Sequence, residues 1–478
     1  MPTSHRGTLK KKFKIFLSVF LLTLFPLLLC AEEGEFGLDI FGGETAGVKF
    51  EGKIFSKLNS DLHQDSKYEF TEEWITGIYL SFSGDIKSNF SFFSSFLDKY
   101  YYFHSSYNDY FNNRFQPFEF YVKKSSDKWD ITAGNQIVSW GVSDVSPIDV
   151  VNPQEMDEFI FSEEDFAKLP VLMLRGDYYV NDQTTIEGIY VPFYKPSHFV
   201  LINSDWSILP REMYYRTVEE YRKEYGVNIE ESGTTSYVTD YPKNSPFNGE
   251  IGFLLKSYRE GYDYQVAIHY GWEKMPFPEF NPDLVEYLKS TDKPMDALNN
   301  LSPLEQISFL PMMKFKPHRI FTFGGGISTT FKSVGIRSEG ALHTNSSIYN
   351  VHLELLHVPS LTWNIGADYN FPHNLYGNIL ITWVHFFTNA KTYLFKRDNI
   401  FTISLLRGSY FHDTLTLEGR FIFALTQYQM ILSLKATYQY SDFISFFGSL
   451  NIIDAEKDSL LYQFRKNDFL TTGIRYSF

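Results

Sequence analysis

The stretch TWNIGADYNF, residues 362–371, decides the fold because its side chains alternate strictly in polarity. Trp363, Ile365 and Tyr369 fall on one face of an extended chain, whereas Asn364 and Asp368 fall on the other. A period of two residues is that of a β-strand, in which successive side chains point to opposite faces. Ordinary globular strands have about five or six residues. The stretch therefore predicts an unusually long strand with one apolar and one polar face.

The same alternation recurs along most of the chain. It is clearest in residues 262–272 and 432–440. Long alternating strands that end in aromatic residues are typical of transmembrane β-barrels, whose apolar face meets lipid. A secreted sandwich, propeller or β-helix is the alternative, but the last two need a fixed-period repeat, and we find none. We predict an all-β fold, a transmembrane antiparallel β-barrel of about 16 strands within a range of about 14 to 18. Further candidate strands lie near residues 47–57, 74–83, 88–97, 117–124, 129–140, 171–180, 249–258, 318–331, 333–343, 349–358, 376–387, 400–410, 414–425 and 443–452.

The last ten residues, FLTTGIRYSF at 469–478, form another such strand. Ile474, Tyr476 and Phe478 share its apolar face. An unpaired apolar edge invites aggregation, so we expect this strand to close a barrel by pairing with the first one. The terminal Phe with an aromatic residue two positions earlier resembles the C-terminal recognition signal of Gram-negative outer-membrane barrels. The resemblance implies insertion by the barrel assembly machinery into a membrane whose lipids surround the barrel.

The composition excludes several classes of protein. The chain has 43 Lys and Arg against 57 Asp and Glu, a net charge of -14, which argues against a nucleic-acid binder. Its single Cys excludes an intramolecular disulfide framework and any multi-Cys metal site. A mean hydropathy of -0.22 argues against a polytopic helical membrane protein. Aromatic residues make up 18% of the chain, which fits a lipid-facing wall with interfacial girdles.

Residues 1–31 are interpreted as a cleaved export signal. Basic residues up to Lys14 precede the apolar run 15–29, which is shorter than the roughly 20 residues of a spanning helix. An uncleaved anchor is the alternative. Cleavage after Ala31 and acylation of Cys30 are both open, because neither site has the usual small residue at the position of Leu29. We expect residues 32–478 to form the barrel in the bacterial outer membrane.

Three stretches, residues 100–117, 181–248 and 281–317, break the alternation and predict long loops. The second contains a strand-like piece at 184–193 and a helix-like piece at 211–225. Long loops are uncommon unless they are functional, and in such barrels they are extracellular. We expect these loops to cap the barrel or to fold over its pore.

The most distinctive stretch lies between two strong strands. It reads GNQIVSWG at 134–141, DVSPIDVVNP at 144–153 and KLP at 168–170. This pattern resembles a bacterial family of uncharacterised outer-membrane barrel proteins that has been linked to lipid or sterol handling. The match is dense from Ala133 to Pro192 and diffuse elsewhere. The resemblance implies a barrel and favours hydrophobic or amphipathic solutes.

Residues 141–170 contain three prolines, and seven carboxylates lie between Asp149 and Asp165, so a membrane-facing strand is excluded there. One interpretation is an inward-folded loop that narrows the lumen and sets its charge. The other is a structured turn in which Asp149 and Asn152 brace the backbone, and Trp129 and Trp140 lie in the girdle. The EF-hand spacing is absent, so we expect no metal site. The candidate lumen and constriction residues are Asp144, Asp149, Asn152, Glu158, Glu163, Glu164, Asp165, Arg337, Glu339, Glu418, Arg420 and Lys435.

These observations predict a monomeric outer-membrane channel for passive passage of small, hydrophobic or amphipathic solutes. The alternative is a surface structural or adhesin-like barrel with a plugged lumen and ligand-binding loops. No G-x-S-x-G, H-E-x-x-H, phosphate-loop or C-x-x-C motif occurs, so we expect neither an enzyme nor a cofactor. An enzyme would require lumenal Ser, His and carboxylate groups within hydrogen-bond reach.

Overall fold

The computed structural model describes residues 47–478 apart from 64–65, 88, 202, 208–210, 227–237, 303–313 and 458. Within these residues, eighteen long strands form one sheet in which each strand pairs antiparallel with its neighbour along the chain. The first nine are β1 (Lys49–Asp61), β2 (Glu72–Lys87), β3 (Phe90–His104), β4 (Tyr110–Ser125), β5 (Trp129–Gln136), β6 (Val171–Asn181), β7 (Thr184–Val191), β8 (Glu250–Arg259) and β9 (Tyr262–Trp272). The others are β10 (Arg319–Phe331), β11 (Val334–Asn350), β12 (Leu355–Phe371), β13 (Leu375–Phe386), β14 (Asp398–Tyr410), β15 (Leu415–Ala424), β16 (Gln429–Gln439), β17 (Ile444–Ala455) and β18 (Phe469–Ser477).

The sheet closes on itself because β18 pairs with β1. The register runs from Lys53 opposite Ser477 to Asp61 opposite Phe469. Closure leaves no unpaired sheet edge in the wall, which is the condition for strands to cross a bilayer. The antiparallel barrel predicted from the alternation is therefore confirmed, with the last strand closing on the first.

The predicted number of about 16 strands is wrong, since the barrel has 18, at the upper end of the range. Thr184–Val191 lies in a stretch that was assigned to loops, yet it pairs with wall strands on both sides. Residues 100–117 were also assigned to a loop, whereas only 105–109 separate β3 from β4. The alternation is obscured there because inward-facing residues are themselves apolar: Tyr101, Phe103, Ile189 and Val191 are buried in clusters inside the barrel.

The faces of the strands follow the predicted polarity. In β12, Trp363 and Ile365 are about half exposed on the outside, whereas Asn364 between them is buried. In β18, Leu470 and Ile474 are similarly exposed and Thr471 is buried. The outer surface is thus an apolar band, and the polar phase faces inward, as lipid and a wet lumen respectively require.

The connections alternate between short turns and long segments, as they must when successive strands are antiparallel. At one end the turns have two to four residues, for example 182–183 and 332–333, while the long connections 137–170, 192–249 and 273–318 leave the other end. The long connections carry the helices α1 (Arg211–Tyr225), α2 (Pro282–Lys289) and α3 (Pro294–Asn299). Among the described helices, none has the length and apolar character needed to cross a bilayer.

Candidate functional site

Residues 137–170, which connect β5 to β6, fold into the barrel and are called the constriction loop below. Its first half crosses the lumen to strands far along the wall. The Gly141 N–H donates to Gln265 Oε1 at 3.0 Å, and Ser143 Oγ donates to Glu339 at 2.8 Å. Asn378 Nδ2 donates to Asp144 at 2.7 Å. These contacts reach β9, β11 and β13, so the loop spans the inside of the barrel.

Asn152 braces the base of the constriction loop. It is buried, its Oδ1 accepts from the Val138 N–H at 2.8 Å, and its Nδ2 donates to the carbonyls of Gln136 and Leu169 at 3.0 and 2.9 Å. One side chain thus satisfies three backbone groups at the place where the chain leaves one strand and returns to the next. Both N–H donors of this amide are used by the backbone, and its burial keeps it out of reach of a solute.

Asp149 has the same bracing role. Burial raises the pKa of its carboxyl, and the nearby Lys168 ammonium opposes this shift. The Lys168 ammonium forms an ion pair with Asp149 and donates to Ser139 Oγ at 2.8 Å. The structure therefore combines both interpretations of the stretch: the loop is folded inward, and Asp149 and Asn152 hold its backbone.

Trp140 and Gly141 explain why the loop turns inward at this point. Trp140 is buried rather than in a lipid-facing girdle, and its Nε1 donates to Glu187 at 2.6 Å. Gly141 has a φ of +112°, and a Cβ there would lie 2.0 Å from Ser146 Oγ. Only glycine combines this backbone conformation with so close a neighbour. The girdle position that was one interpretation for Trp140 is thus wrong.

An apolar cluster fixes the same half of the loop to the wall. Val138, Ile148 and Val151 pack with Trp140 against residues of five strands and are almost fully buried. The wall residues of the cluster are Val171, Met173, Ile189, Val191, Leu254, Ala267 and Ala341. Burial of several large side chains stabilises the loop by about 1.5–3 kcal/mol for each. The loop is therefore a packed part of the barrel interior.

The second half of the loop is held by ion pairs. The Glu158 carboxylate is buried between the ammonium groups of Lys57, with which it forms an ion pair, and Lys99, at 3.2 Å. Burial alone would raise the pKa of Glu158, but these two cations lower it. Further along, Glu163 pairs with Arg475 at 2.9 Å, and Asp165 pairs with Lys53. The acidic side of the loop thus faces a basic wall formed by β1, β3 and β18.

Glu155, Asp157 and His198 bring three potential metal ligands within 4.8 Å of one another. The guanidinium of Arg114 already contacts both carboxylates, at 2.5 Å from Glu155 and 2.9 Å from Asp157. Burial lowers the pKa of His198, but its hydrogen bonds with Asp157 and Glu155 outweigh this and raise it to about 9. The group is therefore a salt-bridge cluster that a metal cation could enter only by displacing Arg114. It ties the loop to residues 192–249.

An open cavity of about 430 Å³ remains between the constriction loop and the wall formed by β14–β18 and β1. Its charged lining consists of Lys53, Lys57, Arg407, Arg420, Lys435, Arg475, Glu158, Glu163, Asp165 and Glu418. Its apolar lining includes Ile160, Phe161, Trp206, Ile422, Ile431 and Phe469. Charged side chains on the inner wall and on the loop thus surround this cavity inside the barrel.

The predicted lumen residues fall into two groups. Glu158, Glu163, Asp165, Glu418, Arg420 and Lys435 line the cavity. Asp144, Asp149, Asn152, Arg337 and Glu339 lie away from that lining and hold the first half of the loop; Arg337, for example, pairs with Asp144 at 3.5 Å and with Asp368. The side chain of Glu164 and all of Cys30 lie outside what the structure describes, as does the predicted export signal.

Sequence reasoning missed the basic partners of the loop. These are Lys53, Lys57, Lys99 and Arg114, which belong to β1, β3 and β4. They lie on the polar phase of their strands, so the alternation could have placed them inside the barrel. Their partners could not have been identified, because more than 100 residues separate Lys57 from Glu158.

At the opposite end of the wall, the predicted assembly signal forms the last strand. Ile474 is 41% exposed on the outer face. The ring of Phe478 packs 5.4 Å from Tyr476 and 5.5 Å from Phe50 of β1. These contacts join the two ends of the sheet; recognition by the assembly machinery stays a prediction.

The model of a family described as a protein of unknown function, DUF1302, matches residues 58–362, which is more than half of the chain. The chain belongs to the DUF1302 family. The matched range contains the whole constriction loop and, of the strands that its first half contacts by hydrogen bonds, β9 and β11 but not β13. The resemblance inferred from the W-G, N-P and K-L-P pattern, to a family of uncharacterised outer-membrane barrels, is thereby confirmed.

Comparison of this DUF1302 protein with curated proteins gives no match. Among solved structures, it is similar to OccK7 (OpdD) of Pseudomonas aeruginosa, with 9% identity, a TM-score of 0.48 and coverage of 90% of this chain and 98% of that one. It is also similar to OpdQ of Pseudomonas aeruginosa, with 9% identity, a TM-score of 0.47 and coverage of 90% and 96%. It is similar as well to OccAB3 of Acinetobacter baumannii, with 9% identity, a TM-score of 0.47 and coverage of 90% of this chain and 99% of that one. All three TM-scores are below 0.5, so function has to be argued from the geometry of the DUF1302 chain itself.

An enzyme would need Ser, His and carboxylate groups within hydrogen-bond reach of one another, and this DUF1302 barrel meets that requirement only in part. Ser347 Oγ lies 3.3 Å from His318 Nε2, but His318 Nδ1 is 3.6 Å from Glu273 Oε2, beyond hydrogen-bond reach. The ring of His357 also packs 3.6 Å from that of His318. The three groups therefore form no continuous hydrogen-bonded relay.

Proposed function

We propose that this DUF1302 protein is an outer-membrane channel for the passive passage of small solutes. The observation that carries the proposal is the open cavity of about 430 Å³ beside the constriction loop. A closed barrel with an apolar exterior belongs in a bilayer, and charged side chains in its interior need water. In this proposal the cavity is the path for water and solutes, and the constriction loop narrows that path.

The surroundings of the barrel follow from the same proposal. The outer-membrane lipids contact the apolar band, the barrel assembly machinery inserts the chain through its last strand, and the barrel acts as a monomer. Solutes move by diffusion down their gradients, since nothing in the proposal requires a source of energy. The long connections lie on the extracellular side, where 192–249 and 273–318 cover the mouth.

A surface structural role is the second candidate, and the tight docking of the constriction loop is the observation that favours it. Bilayer recordings separate the two. We expect stepwise currents from the purified protein, and larger or more variable steps from Lys57→Met, because Glu158 then loses one of its two buried cations. A lost buried charged hydrogen bond costs about 1–3 kcal/mol.

Lys123→Met is the matched control, since Lys123 pairs with Asp130 at 2.7 Å, away from the loop. The Lys123→Met variant should give current steps of the same size and variability as the unaltered protein. Absence of current from both the unaltered protein and Lys57→Met, with insertion of the barrels verified, would overturn the channel proposal and leave the structural role.

A further inference from the structure

The cavity carries more positive than negative charge. Six cations line it against four carboxylates, and each of the four has a cationic partner. Glu158, Glu163 and Asp165 pair with Lys57, Arg475 and Lys53 respectively. The fourth, Glu418, lies 3.6 Å from Arg420. The two remaining cations are Arg407 and Lys435.

Arg407 and Lys435 form no ion pair or hydrogen bond with the described part of the chain. Arg407 lies on β14 and Lys435 on β16, and β15 runs between these two strands. Both residues are directly opposite Glu418 of β15 in the strand register. Neighbouring strands are about 4.8 Å apart, so the two Cα atoms are separated by roughly 10 Å. Arg407 is exposed to the lumen, and the ammonium of Lys435 lies 5.7 Å from the ring of Phe447. The two positive charges exceed the single negative charge of Glu418 between them, so this part of the wall can attract an anionic group from the lumen.

The polarity of the lumenal face changes along these strands. On β15, the face that carries Glu418 and Arg420 continues with Ile422 and Ala424 towards the long connections. On β16, Ile431 has the same relation to Lys435. Ile431, with Ile422 against it, packs in an apolar cluster that includes Phe469 of β18. The wall of the cavity is therefore apolar near its mouth and basic deeper inside.

From these contacts we infer that the cavity selects amphipathic organic anions, that is, solutes with a carboxylate or similar group attached to an apolar part. This inference rests on the proposed channel function and names the class of its solute. The anionic group lies at Arg407 and Lys435, and the apolar part lies against Ile422, Ile431 and Phe469. Ile431 and Lys435 are four residues apart on β16, so the apolar lining lies about 13 Å from the cations, with Ser433 between them on the same face. A purely apolar solute would leave both cations without an anionic partner, and a small inorganic anion would make no contact with the apolar lining.

The test is the current through the purified full-length protein in planar bilayers. Under a salt gradient the reversal potential should show preference for chloride over potassium. The double variant Arg407→Gln and Lys435→Gln should conduct but lose this preference. Arg259→Gln with Lys332→Gln, which removes the same charge at the short-turn end of the wall, should keep it. Heat-modified gel mobility verifies that each variant is a folded barrel. Arg407→Lys keeps the positive charge, so it should retain most of the preference for chloride that the double variant loses.

Block of the current by added solutes tests the apolar half of the inference. Octanoate should block at a lower concentration than acetate or neutral octanamide, and Arg407→Gln with Lys435→Gln should raise its half-blocking concentration about fivefold or more. Ile431→Ser should weaken the block by octanoate without changing the reversal potential. Current without anion preference, or equal behaviour of the lumenal and control double variants, would overturn the inference while leaving the channel proposal intact. Absence of any current would overturn both.

Discussion

At the scale of single residues, the distinctive motifs of the chain serve to build the constriction loop. Asn152 satisfies three backbone groups, Trp140 donates to a buried glutamate, and Gly141 permits a turn that no other residue could make. The sequence alone could predict the bracing roles of Asp149 and Asn152, because both side chains bond to local backbone. It could not place Trp140, since its partner Glu187 comes from a strand 47 residues away. The motif therefore shapes the constriction loop without lining the cavity.

Asn152→Ala should release the constriction loop. The Val138 N–H and the carbonyls of Gln136 and Leu169 lose their partner, and each buried unsatisfied group costs about 1–3 kcal/mol. We expect trypsin to cleave after Lys168 faster than in the unaltered protein, while the barrel keeps its heat-modified gel mobility. The matched control is Asn113→Ala, whose amide donates to Asp98 at 2.8 Å on the exposed side of the wall. Equal cleavage of the two variants would contradict the bracing role.

At the scale of elements, the constriction loop is joined to the long connection 192–249 by main-chain pairing as well as by charge. The N–H of Met156 donates to the carbonyl of His198 at 2.9 Å, and the N–H of His198 donates to the carbonyl of Gln154 at 2.9 Å. The helix-like stretch 211–225 in that connection coincides with α1. The strand-like piece that precedes this connection was harder to assign. Thr184–Val191 is short, and only its pairing with β6 and β8 shows that it belongs to the wall.

This junction should weaken at alkaline pH. Because contacts with Asp157 and Glu155 raise the pKa of His198 from 6.5 to about 9, the cationic ring stabilises the junction fully below pH 6.5. That stabilisation is lost as the pH rises through about 9. Hydrogen exchange at the Met156 amide, corrected for its intrinsic rate, should therefore accelerate between pH 7 and pH 10.

His198→Gln is the comparison for this effect, because glutamine keeps a polar side chain but does not titrate. Arg114 stays charged throughout this range and continues to hold both carboxylates. In the variant, the protection of the Met156 amide against hydrogen exchange should not change between pH 7 and pH 10. A step of the same size in the variant and the unaltered protein would show that another group is responsible.

At the scale of the whole molecule, the acidic composition and modest hydropathy describe a barrel rather than several soluble domains. Half of each strand faces an interior that holds polar and charged groups beside apolar clusters, and the aromatic residues supply much of the outer wall. The barrel and its closure through β18 could be predicted because a period of two residues is a local property of the chain. The shape of the cavity could not, because it depends on ion pairs such as Arg475 with Glu163, which lie 312 residues apart.

The central claim is that the cavity beside the constriction loop is the route of conduction, and modification of a single cysteine tests it most directly. Ser433 of β16 lines the cavity, whereas Ser404 of β14 is on the same face as Leu406, which is 51% exposed on the outside. After addition of a water-soluble charged thiol reagent, the current through Ser433→Cys should fall and that through Ser404→Cys should not change. If mass spectrometry shows that Ser433→Cys has been modified and its current is unchanged, the cavity is not the route of conduction.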